Sequence, residues 1–277
     1  MNPLVSARDL SVELEGERPP VVLDVRFQLG RPDWGREQFD AGHIAGARFV
    51  DVDTDLAVHP REDRAGGRHP LPSREVFAAT LRRLGLSSDS SVVVLDQASS
   101  LSAARAWWML RDAGIANVRV FDGGLAAWDA EGLPLTSEPT PEPEAGDLAV
   151  NPPILPVVDA DGVAALLDAG GTVFDVRAPE RFRGDVEPID PVAGHIPGAT
   201  NLPASMLQDG AGHHRPAAEL RELLAGVQPG DAVSCGSGIT ACQALLAFEA
   251  AGLSGVQLYA GSWSDWISDP TRPIARG

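Results

Sequence analysis

The sequence predicts an α/β protein of two tandem domains, each a parallel sheet with helices on both faces. Two observations carry that expectation: an internal duplication, and, inside each copy, short apolar runs that alternate with helical patterns. The stretch VVLDVR at 21–26 returns as TVFDVR at 172–177, and GHIAGA at 42–47 returns as GHIPGA at 194–199. Further on, VVVLDQASS at 92–100 corresponds to DAVSCGSGI at 231–239, and FDGGLAAW at 121–128 to LYAGSWSDW at 258–266. Four elements recurring in one order mark a repeated unit, and 277 residues are ample for two domains.

The elements follow from the apolar pattern. Residues 92–95 form a short β-rich run, read as a buried strand; SAARAWWMLRDAG after it has helical periodicity and stops at Gly114, a C-cap residue. The next strand is 118–121. In the second copy the same order is read as a strand over 232–234, a helix over ITACQALLAFEAAG ending at Gly252, and a strand over 256–259. Strand–helix–strand units with short connections require parallel pairing, which buries both sheet faces under helices. Between the copies, TSEPTPEPEAGDLAVNPPILP at 136–156 is rich in Pro and Glu and poor in bulky apolar residues, so it reads as an extended linker. The expected division is a first domain over 1–138, a linker over 139–153 and a second domain over 154–277.

Composition excludes some partners. The net charge of −17 opposes nucleic acid and anionic membranes, which would both be repelled. No run of about 18 consecutive apolar residues is present, so no membrane span is expected. No basic, apolar and small-residue sequence of the secretory type stands at the N-terminus. The two cysteines, Cys235 and Cys242, do not make a disulfide framework, and a reduced cytoplasmic protein is the expectation.

One loop carries chemistry. Cys235 ends a strand and opens a helix inside CGSGIT, where Gly236 and Gly238 flank Ser237. Such a loop can turn successive N–H groups inward at a helix N-terminus and stabilise an anion; the thiolate of Cys235 is the anion at hand. Ligands of an open parallel sheet bind beyond the carboxyl ends of its strands, where this loop falls. Cys242, one helical turn further on an apolar face, reads as a core residue.

With DVR, GHIPGA, RFRG, CGSGIT and GSWSDW in the second half, and WWMLRDAG and the GG-x-x-x-W pattern in the first, the chain resembles the tandem-rhodanese family. It is most similar to the branch that includes the 3-mercaptopyruvate sulfurtransferases, which carry a CGSG loop followed by a β-branched residue. The resemblance implies sulfur transfer from a donor, 3-mercaptopyruvate favoured and thiosulfate the alternative, through a persulfide on Cys235. The acceptor would be cyanide or a thiol, a thioredoxin-like protein included. In the first copy Asp96 stands at the cysteine position, and a carboxylate cannot carry a persulfide, so that domain is expected to be catalytically silent. Gly236, Gly238, Ile239 and Thr240 of the loop would line the donor site.

The resemblance also assigns residues outside the loop. Arg181, in RFRG, matches an arginine that binds the donor's carboxylate, and a planar fork suits that group. The family's second arginine, nine positions later, is replaced here by Asp190, which removes half of that clamp. Arg177 and Arg183 read as a structural ion pair and a solvated charge. An acid–histidine–serine relay would consist of Asp53, His69 and Ser237, with Asp51 as the alternative acid. His43 and His195 recur in both copies, the silent one included, and read as structural turn residues; Trp263 and Trp266 read as packing.

No metal or organic cofactor is expected: there is no cysteine–histidine cluster of zinc spacing and no G-x-G-x-x-G after a strand. A cysteine phosphatase would need an arginine closing the loop, where Ala241 stands. A G-x-S-x-G hydrolase would need glycine where Cys235 stands. The non-enzymatic alternative is a sulfur carrier or binding module, in which partner binding would survive replacement of Cys235.

Overall fold

The computed structural model describes residues 2–277 and resolves into two compact units. The first comprises residues up to Ala57, Pro72–Ile154 and Gly210–His213; the second comprises Val58–Leu71, Leu155–Asp209 and His214–Gly277. The sequence reading assigned 58–71 to the first domain. In the structure this excursion folds onto the second unit, because its glycines and polar groups find their partners there, as described below.

In the first unit the elements run β1 (Leu4–Val5), α1 (Ala7–Leu14), β2 (Val21–Asp24), α2 (Trp34–Ala41), β3 (Arg48–Phe49), α3 (Arg74–Arg83), β4 (Ser91–Leu95), α4 (Leu101–Asp112), β5 (Asn117–Phe121) and α5 (Gly124–Ala130). The strands form one parallel sheet in the order β1-β5-β4-β2-β3. Period-two alternation sends Val22, Val93, Leu95 and Phe121 to one face, where they meet Ala7 and Leu10 of α1, Phe39 of α2, and Leu125 and Trp128 of α5. Helix α4 packs against β4 and β5 and is buried almost all round, including Trp107 and Trp108. It stops at a cap on Ala113, and Gly114 takes the left-handed conformation (φ 103°) that a C′ residue needs. The linker from 137 to 154 has no regular element. Its carbonyls are taken by side chains of α3: Arg82 Nη1 donates to Leu148 O (2.8 Å) and Arg74 Nη2 to Pro152 O (3.1 Å).

The second unit runs α6 (Ala160–Asp168), β6 (Val173–Asp175), α7 (Pro179–Arg183), β7 (Thr200–Asn201), α8 (Ala217–Leu223), β8 (Ala232–Ser234), α9 (Ile239–Ala250), β9 (Gln257–Leu258) and α10 (Ser262–Trp266). Its parallel sheet has the order β7-β6-β8-β9, and a parallel bridge from Val157 to Leu258 occupies the edge that β1 fills in the first copy. One face is closed by Val163 of α6 and by Trp263 and Trp266 of α10; helix α9 packs on β8 and β9. Among the described residues no helix is long and apolar enough to cross a membrane.

The repeated motifs do the same structural work twice. Arg26 grips the buried Asp24 through Nε and Nη2 and donates to Gly42 O; Arg177 grips Asp175 in the same way and donates to Gly194 O. His43 Nδ1 lies 2.7 Å from Phe39 O with its ring stacked on Phe39, and His195 repeats this with Phe182.

Candidate active site

The second unit gathers the polar groups beyond the C-terminal end of β8. Cys235 follows that strand and is buried. Residues 236–238 turn the chain, and Gly238 caps α9 at φ 81°. A Cβ at Gly238 would overlap the carbonyl oxygen of Ala260, so only glycine fits the turn. The turn aims the Gly238 N–H at Cys235 Sγ (3.1 Å). The first N–H groups of α9 have no intrahelical acceptors and add to the same positive end.

The loop is braced from behind by the start of α10. Trp263 and Ser264 donate N–H bonds to the carbonyls of Cys235 and Gly236, both 3.0 Å, and the Cys235 N–H donates to Ser262 Oγ (3.0 Å). Ser262 holds a left-handed φ of 54°, unusual for a residue with a side chain. Backbone strain of this kind persists where the surroundings over-determine it, and here three bonds do so. Ser262 was not singled out from sequence, since only the tertiary pairing reveals its role.

Ser237 Oγ lies 2.9 Å from His69 Nδ1 in a buried contact. His69 arrives on the 58–71 excursion, whose approach is fixed at several points. The Gly66 N–H donates to Asp265 Oδ1 (2.7 Å) and the Arg68 N–H to Ser264 Oγ (3.0 Å). Gly67, at φ 84°, leaves room for the Gly261 carbonyl, which a Cβ would meet at 2.5 Å. Asp53 lies in the first unit, in the turn after β3. Asp51 is the turn former: its Oδ1 accepts the N–H groups of Asp53 (2.8 Å) and Thr54 (3.0 Å). Partial desolvation, and then the Asp51 charge, raise the Asp53 carboxyl above the usual carboxylate range.

Arg181, on α7, brings its guanidinium over the loop; a Cβ on Gly236 would stand 3.6 Å from its Nη2. Its Nε and Nη2 are engaged by Glu187 (3.1 and 2.7 Å), with Asp190 Oδ2 at 3.4 Å. Burial would raise the Glu187 carboxyl, but the Arg181 bonds and the N–H groups of Asp190 and Ile189 hold it below its ordinary value. Asp190 is paired with Arg68 as well. Burial pushes its carboxyl up, and the Arg68 charge opposes this. Glu187 and Arg68 were not found by sequence reasoning, although Arg68 adjoins His69 in GRHPLP. Arg177 is buried against Asp175 and under Trp263, its guanidinium carbon 4.9 Å from the ring centre, while Arg183 pairs with Asp185 at the surface.

Ile239 is buried at the first turn of α9 and Thr240 is partly exposed. Cys242 is buried in α9 with Sγ 3.3 Å from Gly238 O, a helix-interior contact. Cys235 and Cys242 are not joined in a disulfide, and no group of three metal-ligating side chains occurs among the described residues.

In the first unit, Asp96 follows β4 as Cys235 follows β8. Its carboxylate accepts the N–H groups of Ala98 (3.1 Å) and Ser100 (3.0 Å) on one oxygen, and of Ser102 (3.0 Å) and Ala103 (3.2 Å) on the other. Burial raises this carboxyl, and the four N–H bonds work against that rise.

The sequence and the fold are similar to those of known proteins. A family model described as "Rhodanese-like domain" matches residues 6–131 and again 159–269. A "Putative thiosulfate sulfurtransferase SseB" of Mycobacterium tuberculosis is 42% identical over 280 residues, covering 99% of this chain and 97% of the relative. A "Probable 3-mercaptopyruvate sulfurtransferase" of Pseudomonas aeruginosa is 43% identical over 282 residues, covering 99% and 98%. The crystal structure of SseA from Escherichia coli, a 3-mercaptopyruvate sulfotransferase, superposes with a TM-score of 0.82 at 32% identity, covering 95% of this chain and all of that one. Two matched copies, over sheets of one parallel design, make this chain a member of the rhodanese-like family.

Proposed function

We propose that this protein is a sulfurtransferase that moves sulfane sulfur from a small-molecule donor to an acceptor through a Cys235 persulfide, with 3-mercaptopyruvate as the favoured donor. The observation that carries the reading is the Cys235 sulfur at the focus of a glycine-shaped loop, with the Gly238 N–H directed at it. Relatives named for 3-mercaptopyruvate and for thiosulfate stand equally near this chain, so the donor is argued from the site.

The Cys235 thiolate attacks the donor sulfur. An S–S bond forms, the donor C–S bond breaks, and its electron pair leaves as the enolate of pyruvate, which takes up a proton. This is covalent nucleophilic catalysis. Ser237 and His69, 2.9 Å apart, form a relay that supplies a hydroxyl to polarise the donor carbonyl or deliver that proton. Thiosulfate has no carbonyl, so this pair favours the 2-oxo acid. The glycines at 236 and 238 and the first turn at Ile239 and Thr240 form the cradle of the persulfide, and Arg181 takes the donor's carboxylate.

An acceptor thiol, of a thioredoxin-like protein or a small molecule, or cyanide, then removes the outer sulfur and regenerates the thiolate. Two cysteines outside any disulfide suit a reducing cytoplasmic setting.

The test is kcat/KM with 3-mercaptopyruvate and with thiosulfate, with one acceptor, for the wild type and Ser237→Ala. The reading expects a preference for 3-mercaptopyruvate, and a loss of about 10²-fold or more with that donor alone in the variant. Equal losses with both donors would remove the relay. Preference for thiosulfate would make sulfite the leaving group.

A further inference from the structure

We propose that Arg68, held by Asp190, is the second guanidinium of the donor site and takes the donor's anionic group together with Arg181. The assignment rests on the reading of Cys235 as the sulfur-carrying nucleophile. From sequence, Asp190 stands where a second cation is wanted and leaves the clamp half built. The structure supplies a cation from elsewhere in the chain.

Both guanidinium groups converge on the residue after Cys235. A Cβ on Gly236 would stand 3.0 Å from Arg68 Nη2, nearer than the 3.6 and 3.7 Å to Nη2 and Nη1 of Arg181. Arg68 is no solvated surface arginine: its side chain is 13% exposed and that of Asp190 only 4%. Its segment is pinned by the backbone N–H bonds of Gly66 and Arg68 and by the His69 side chain, already described.

The two arginines differ in what their donors do. Arg181 spends its Nε–Nη2 edge on Glu187. Arg68 directs Nη1 to Asp190. Its Nε is buried with no hydrogen-bond partner among the described residues, while Nη2 lies against Gly236. The Nε–Nη2 edge is the one with which Arg26 grips Asp24 and Arg177 grips Asp175 in this same molecule. A buried guanidinium N–H left without an acceptor, as at Nε, is costly unless a ligand completes it. A carboxylate or sulfonate matches that fork. Asp190 spans both arginines, Oδ1 toward Arg68 and Oδ2 3.4 Å from Arg181, and so sets their spacing. Asp190 is therefore a positioning residue, and Arg68 is the specificity residue.

The experiment measures KM and kcat for 3-mercaptopyruvate, together with Tm, in Arg68→Lys, Arg68→Met, Asp190→Asn and the double variant Arg68→Met/Asp190→Asn. Arg68→Met is expected to raise KM roughly ten- to hundredfold, the loss of a charge-assisted bond, with a smaller change in kcat. The double variant no longer leaves a buried carboxylate unpaired, so it regains Tm while KM stays high. Arg68→Lys keeps the pair with Asp190 but loses the fork; it is expected to raise KM at near-wild-type Tm, which covers the case in which the methionine variants fold poorly. Wild-type KM in the double variant or in Arg68→Lys would mean that Arg68 only neutralises Asp190, and would overturn the assignment while leaving sulfur transfer standing. If the wild type loads no sulfur from either donor, the proposed function falls and this assignment falls with it.

Discussion

The loop after β4 and the loop after β8 are one frame put to two uses. In each, the chain leaves the C-terminal end of a central strand, turns and enters a buried helix. In each, the next turn of chain leans back on the loop. Leu125 and Ala126 donate to the carbonyls of Asp96 and Gln97 (both 2.9 Å), as Trp263 and Ser264 donate to those of Cys235 and Gly236. In the first unit the anion is built in, since the Asp96 carboxylate consumes four N–H groups. In the second the same place holds a thiol, and the turn to the helix is one residue shorter (236–238 against 97–100). The frame is an anion hole. Filled by its own side chain it is a structural plug, and furnished with cysteine it can hold a thiolate or a persulfide.

A second contrast lies behind the loops. Gly124 and Ser262 hold nearly the same left-handed φ, 55° and 54°. Glycine takes that conformation freely, whereas serine is strained in it. The strain at Ser262 accompanies a hydroxyl that accepts the Cys235 N–H, a side-chain tie that Gly124 in the first copy lacks.

The largest break in the comparison is Cys235→Ser. Sulfur transfer is expected to fall on the order of 10⁴-fold or more, as it does when a covalent nucleophile is removed, whereas the corresponding Asp96→Ser should leave kcat unchanged. Steady-state assays on both variants check this, and residual activity in Cys235→Ser within tenfold of wild type would sink the persulfide reading.

Next in size is the glycine pair. Gly238→Ala drives a Cβ into the Ala260 carbonyl and turns the N–H away from sulfur, so activity per folded molecule should drop together with stability. Gly124→Ala places its Cβ 2.5 Å from the Asp96 carbonyl and should cost stability alone. Comparing kcat with denaturant midpoints separates the two; parallel losses of activity would mean that the frames are not independent.

Asp96→Ala sharpens the plug idea. Four N–H groups lose their acceptor, and the expected loss is about 1–3 kcal/mol or somewhat more, read as a lower Tm with unaltered kcat. An unchanged Tm would show that the plug contributes nothing. The smallest effect is expected from Ser262→Gly, where relief of backbone strain and loss of one hydrogen bond, each about 1 kcal/mol, oppose each other. Tm should stay close to wild type while kcat shifts by a few-fold.

Much of this was open to reading in the chain itself. The duplicated DVR and GHI(A/P)GA motifs marked Arg177 as a member of an ion pair and His43 and His195 as structural turn residues, because short-range motifs encode short-range bonds. The strand over 232–234 and the helix after it followed from apolar periodicity, and the Gly-Ser-Gly turn marked the cysteine. The excursion at 58–71 was different. Its sequence lies inside the first copy, and it lacks the periodicity that would announce a destination, so its folding onto the second unit had no local sign.

The sequence by itself determined the two-copy α/β plan, the glycine turn after Cys235 and the place of Asp96 at the matching position of the first copy, since these depend on residue type, spacing and backbone permissiveness within a few positions. Only the tertiary structure decided which side chains meet there: His69 with Ser237, Ser262 behind Cys235, Glu187 on Arg181, and Arg68 with Asp190. Those contacts join residues 27 to 168 positions apart, apart from the local Arg181–Glu187 pair. Charge and hydrogen-bond partners are chosen by proximity in space, and an aspartate that reads as a missing cation becomes the holder of one only when the fold brings Arg68 to it.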